Sequence, residues 1–173
     1  MKLTTLVICF LALCSNGLQA YCRDDIPKTT PTRDFTVHDD GTVTHNVTGL
    51  MWYRCLVGQS WNAQSRQCEG EVRSTSLNAH LRIHKLDSSA GYSDWRVPNF
   101  HELRSIIEHG CFQPAINTSV FQVPETHGKS YIHSATPDTS SQRIFGISLE
   151  QGLSGKQFYS YIGGVVLMVR GGE

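Results

Sequence analysis

The sequence predicts an α+β domain: two helices packed on a mostly antiparallel sheet, stapled by disulfides. Three observations carry this. From Phe35 onward, short runs alternate apolar and polar residues. Two stretches, 74–86 and 99–110, place apolar residues at helical spacing behind capping residues. Four cysteines remain once an export signal is removed.

That signal occupies residues 1–20. Lys2 supplies the positive start, and the stretch from Leu3 to Cys14 is apolar apart from Thr4 and Thr5. The stretch from Ser15 to Ala20 is small and polar, with Leu18 and Ala20 where a signal peptidase reads. The expected mature N-terminus is Tyr21. A lipoprotein reading at Cys14 fails, because bulky Leu13 precedes it where a small residue is needed. The apolar core is too short to span a bilayer, and no other stretch is long and apolar enough. The expected location is outside the cytoplasm: periplasmic, secreted or at the cell surface. Residues 21–34, with Pro27 and Pro31, read as an irregular lead-in, and residues 35–173 as a single domain. Fifteen basic residues balance fifteen acidic ones, which argues against a nucleic-acid binder.

Cys9 and Cys14 leave with the signal. Cys22, Cys55, Cys68 and Cys111 then read as two disulfides, with three pairings open. A zinc site would want the short C-x-x-C spacing, which is absent. The expected pairing is Cys55–Cys68, closing a local loop, and Cys22–Cys111, tying the lead-in to the end of the second helix.

Element by element, Phe35 and Val37 alternate with polar neighbours, Asp40-Gly41 marks a hairpin turn with φ > 0 wanted at both positions, and Val43 continues on the return strand. The stretch 46–49 is a second turn and 50–55 a third strand, so residues 35–55 form a three-stranded meander. Residues 56–73 read as a polar loop. Ser74 or Thr75 caps a helix whose Leu77, Leu81 and Ile83 or His84 share a face. Pro98 holds Val97 extended. Asn99 and Glu102 make a capping box, Phe100, Leu103, Ile106 and Ile107 form a buried stripe, and Gly110 ends the second helix. Beyond Pro114 the chain is β-like and loop-rich, with strands expected around 131–133, 144–147, 158–161 and 165–169.

Five motifs in order resemble one family: DGTVT at 40–44, TGLMW at 48–52, GYSDWRVP at 91–98, ELRSI at 102–106 and VRGG at 169–172. Together they are similar to the Lcl C-terminal domain family, named for a collagen-like bacterial surface adhesin. The resemblance implies a C-type-lectin-like architecture, a bacterial exported protein and no established catalytic residues. It also implies a binding role, since the best-described relative binds sulfated polysaccharides. The chain departs from the family pattern at 73–77 and at 131–135. The stretch 95–98 also resembles an element of formylglycine-generating enzymes. Their copper-binding cysteines lie near the C-terminus, and this chain has no cysteine after Cys111. No G-x-S-x-G elbow is present.

Among individual residues, Trp52 and Trp95 sit in the shared motifs and read as core, whereas Trp61 lies in the Cys55–Cys68 loop and is a candidate contact. His80 and His84, spaced i, i+4, read as a solvated helix face rather than a metal site, and no cofactor is expected. The segment from Lys129 to Tyr161 is rich in turns and tyrosines. The candidate ligand contacts are Tyr131, His133, Arg143, Tyr159 and Tyr161, with the alternative that Tyr159 and Tyr161 merely cover a sheet face. The expected function is an exported, non-catalytic domain that recognises a glycan or a protein at the cell envelope. The rivals are an assembly subunit of an envelope or pilus complex and a hydrolase of envelope polymers.

Overall fold

A computed structural model describes residues 20–83, 89–124 and 130–172. The expected signal peptide, the end of the first helix with His84, and Lys129 lie outside these residues. Two four-stranded sheets dominate. The first runs in the order β12 (Leu167–Arg170), β4 (Leu50–Leu56), β3 (Thr42–His45), β2 (Phe35–Val37), all antiparallel. The second runs β10 (Ser154–Phe158), β9 (Arg143–Ser148), β8 (Tyr131–Asp138), β11 (Gly164–Val165). Its β11 lies parallel to β8. Two short ribbons join β1 (Tyr21–Cys22) to β7 (Cys111–Phe112) and β5 (Ser60–Asn62) to β6 (Gln67–Glu69).

The 35–55 meander forms as its alternation dictates. Its first turn differs in detail, because Gly41 alone adopts positive φ (83°). Asp40 instead accepts hydrogen bonds from the backbone N–H (3.0 Å) and hydroxyl (2.7 Å) of Thr42, an Asx-type turn. A side chain at Gly41 would also collide with the ring of Trp61.

β4 is buried on both faces. Leu50, Trp52 and Leu56 enter one apolar cluster, and Tyr53 and Cys55 enter the other, with Val57 just past the strand. The C-terminal run repeats this: Val165, Leu167 and Val169 face the first cluster, Val166 and Met168 the second. A period of two with apolar residues in both phases is why these stretches read as continuous hydrophobic runs.

The α+β, C-type-lectin-like expectation does not hold: the protein is mostly β. The described α-helices are α1 (Leu77–Ile83), seven residues, and α2 (Phe100–Arg104), five residues, too short to form a helical layer. α2 starts as expected, with the full Asn99–Glu102 capping box. It stops early because the Ser105 hydroxyl donates to the Glu102 carbonyl at 2.6 Å, offering the backbone a turn instead. Ile106 and Ile107 remain buried, but Ile107 forms a β-bridge with Ile116 rather than a helical stripe ending at Gly110. The expected 56–73 loop holds the β5–β6 hairpin. The expected 158–161 strand ends at Phe158.

Both disulfides are formed. Cys22 is bonded to Cys111 and sits opposite it across the β1–β7 ribbon. Cys55, fully buried on β4, is bonded to Cys68 on β6. The lead-in is held a second way by Glu108, a buried carboxylate. It accepts from the backbone N–H of Thr29 (3.0 Å), Thr30 (2.8 Å) and Gly110 (3.0 Å) and from both threonine hydroxyls.

Candidate functional site

The shared motifs converge on one structural node. Arg96 pairs with Glu102 through both guanidinium nitrogens, at 2.7 and 2.6 Å, and also donates to the Gly171 carbonyl at 2.9 Å. The Glu102 carboxylate accepts the Asn99 N–H at 2.7 Å. Hydrogen bonding to Arg96 holds its carboxyl below the usual value, against the opposing pull of burial. Arg170 binds Asp94 at 2.7 Å and stacks over Tyr92, 4.0 Å from the ring centre. Trp52 is fully buried and Trp95 nearly so, with its indole N–H donating to the Ser89 carbonyl at 2.8 Å. These motif residues tie 91–104 to the C-terminal strand.

The outer end of the second sheet is built differently. β10 is an edge strand whose residues alternate exposed and half-buried. Its last residue, Phe158, is 55% exposed and lies directly across from Arg143 on β9. The guanidinium sits 4.5 Å from the ring centre, which fixes the aromatic face against the sheet. The chain then turns, with the Tyr161 N–H donating to the Phe158 carbonyl at 2.9 Å. Beside this turn is an open depression lined by Asn78 of α1, Gln142, Phe158, Tyr159 and Ser160. Tyr161 (41% exposed) and Ile162 (73%), which follow in the chain, give the same region an apolar rim.

Of the residues expected from sequence, Arg143 and Tyr159 lie at this depression and Tyr161 lies on its rim. Tyr159 is half-buried against the second apolar cluster, and both tyrosines belong to a turn, not to a strand face. Tyr131 is half-buried, its ring lying over Gly155 of β10. His133 is completely buried, and neither ring nitrogen has a hydrogen-bond partner. Burial, with the neighbouring His80 second, lowers its pKa to about 4. Trp61 is a strut of the β5–β6 hairpin. Its indole N–H donates to the Asp39 carbonyl and its backbone N–H to the Tyr53 hydroxyl, both at 2.8 Å. The Arg54 guanidinium lies 4.9 Å from its ring centre.

His80 is a correction. It is 1% exposed, not on a solvated face. Its Nε2 lies 2.9 Å from the Arg73 carbonyl, which can only accept, so Nε2 carries the hydrogen and Nδ1 is bare. Among the described residues, no three His, Cys, Asp or Glu side chains gather as a metal set.

Sequence reasoning missed Phe158, Asn78, Gln142 and Ser160. The one available signal was an aromatic at a strand end followed by a polar turn. The amides and hydroxyls come from α1, from the β8–β9 loop and from the turn after β10, and no local pattern links them.

No curated protein and no solved structure matches the chain. The family model of the Lcl C-terminal domain matches residues 41–170, a span that holds Arg96, Glu102 and Arg170 and the aromatic end of the second sheet. The chain belongs to the Lcl C-terminal domain family.

Proposed function

We propose that this protein is a non-catalytic binding domain that works outside the cytoplasm and recognises a glycan at the bacterial cell envelope. One observation carries the reading: exposed Phe158 and Tyr161 stand beside a depression lined with amide and hydroxyl groups. A flat aromatic face covers the C–H face of a sugar, and side-chain amides and hydroxyls pair with its hydroxyls. Arg143, held over Phe158, adds a fixed positive charge that suits a sulfated or acidic sugar. The two disulfides support an oxidising compartment.

A protein partner is the second reading, and the apolar rim favours it. Ile162 is the kind of exposed apolar side chain that an assembly interface covers. A glycan array probed with the purified protein separates the two. Enrichment of charged polysaccharides supports the proposal. An empty array together with concentration-dependent self-association or partner capture supports assembly.

A further inference from the structure

Directly beneath the aromatic turn lies a pair of buried histidines. His133 rises from β8 and His80 from α1, their rings edge to face with centres 5.9 Å apart. The ring of Tyr161 stands 6.2 Å from that of His133. Gly164 of β11 closes the site. A side chain there would collide with the His133 ring, so the imidazole fills the space a β-carbon would take. α1, β8, β11 and the 159–163 turn therefore meet on two imidazoles.

Little backbone bonding joins these elements. Thr75 donates its N–H to the Gly164 carbonyl at 3.0 Å, and β11 pairs with β8 over two residues only. Three ring nitrogens in the pair have no hydrogen-bond partner: Nδ1 of His80 and both nitrogens of His133. A buried polar atom left unpaired is a standing cost that calls for a reason. Tyr161 faces the pair from the turn and Arg73 from the segment before α1. β9 and β11 bring Gly146 and Gly164 to the site, neither of which titrates. The charges acting on the rings are those of Arg73 on His80 and of His80 on His133, and no carboxylate among the described residues opposes them.

We propose that His80 and His133 form an acid-opened latch: protonating either imidazole unseats α1 and the 159–164 turn from β8, and displaces Tyr159 and Tyr161. A cation in this site has no anionic partner and lies beside a second group that also becomes a cation. Opening lets water solvate both. The sign follows from burial. Both closed-state imidazoles titrate below their ordinary value of 6.5, His133 at about 4. The opened form therefore binds more protons between those limits, and opening is favoured progressively as pH falls from 6.5 toward 4. At neutral pH the latch stays shut. The hydrogen-bonded pairing of β4 with β3 and β12 does not run through this joint, so the opening is local. The effect on ligand affinity rests on the proposed glycan reading, but the opening itself does not.

Hydrogen exchange followed by mass spectrometry on the whole protein, corrected for intrinsic rates, tests this at pH 7 and at about pH 4.5. The expected result is a loss of protection of about tenfold or more in residues 72–83 and 158–166, with 42–56 unchanged. The double variant His80→Phe/His133→Phe, which removes both titrating rings, should abolish the pH dependence. Should that variant not fold, an NMR titration of the wild-type His133 imidazole should share its midpoint with the loss of protection. Equal protection at both pH values, or an equal loss in 42–56, overturns the latch. Opening without glycan binding at any pH removes the binding reading and leaves the latch. Glycan binding at pH 7 without opening does the reverse.

Discussion

Arg96 and Glu102 face each other as a bidentate ion pair, and the same arginine reaches the Gly171 carbonyl. Three family motifs thus meet on one guanidinium. Glu102 also caps α2, so its removal breaks both a charge pair and a helix start. Glu102→Ala should destabilise the protein by about 1–3 kcal/mol, read by urea unfolding. Glu102→Gln keeps the capping shape but loses the charge and should fall between. Because the folded carboxyl titrates below its ordinary 4.5, the pair's contribution is complete above that value and is lost as pH falls through the lower folded value. The histidine latch begins to open at higher pH, as pH falls below 6.5.

Glu108 anchors the lead-in from inside. Burial alone would push its carboxyl pKa up, but the backbone N–H groups of Thr29, Thr30 and Gly110 win and hold it below the usual range. Glu108→Ala leaves these donors without their acceptor and should cost about 2–4 kcal/mol. Limited proteolysis should then cut within residues 23–34 while the disulfide still holds Cys22. Resistance equal to the wild type would show that the carboxylate is not the anchor.

The disulfides close loops of very different length, with sequence separations of 89 and 13. On chain entropy, losing Cys22–Cys111 should cost about 4–5 kcal/mol and losing Cys55–Cys68 about 3 kcal/mol. Paired Cys→Ser variants compared by thermal unfolding check the order. The reverse order would show that the buried position of Cys55 outweighs loop length.

Much of the first sheet was legible in the sequence because it is local. Alternation from Phe35 to Val43, the Asp40-Gly41 turn and the strand beginning at Leu50 specify a meander with no long-range information. The Asn99–Glu102 box was legible for the same reason. The helix ends were not, since a single Ser105 hydroxyl decides where α2 stops. Nor were the pairings of β12 with β4 and of β11 with β8, which join segments far apart in the chain. The polar letters of 60–69 hid a hairpin that is held by Trp61, by Cys68 and by the glutamine Gln122, whose side chain accepts the Cys68 N–H at 2.8 Å. At the candidate site, the sequence singled out the stretch 129–161 but could not tell inward aromatics from outward ones. His133 lies in the interior and Phe158 outside because of how β8 and β10 sit in the sheet, one flanked by strands on both sides and one at the edge.

The central claim is that the Phe158–Tyr161 surface binds a glycan, and calorimetry with the polysaccharide selected by the array tests it most directly. Phe158→Ala and Tyr161→Ala should each weaken binding about tenfold or more, as loss of an aromatic anchor does, with the thermal midpoint nearly unchanged. Trp61→Ala should do the opposite, lowering the midpoint and leaving affinity intact, since its ring braces Gly41 and Arg54. Unchanged affinity in both Phe158→Ala and Tyr161→Ala, in folded protein, would contradict the account and place the binding surface elsewhere.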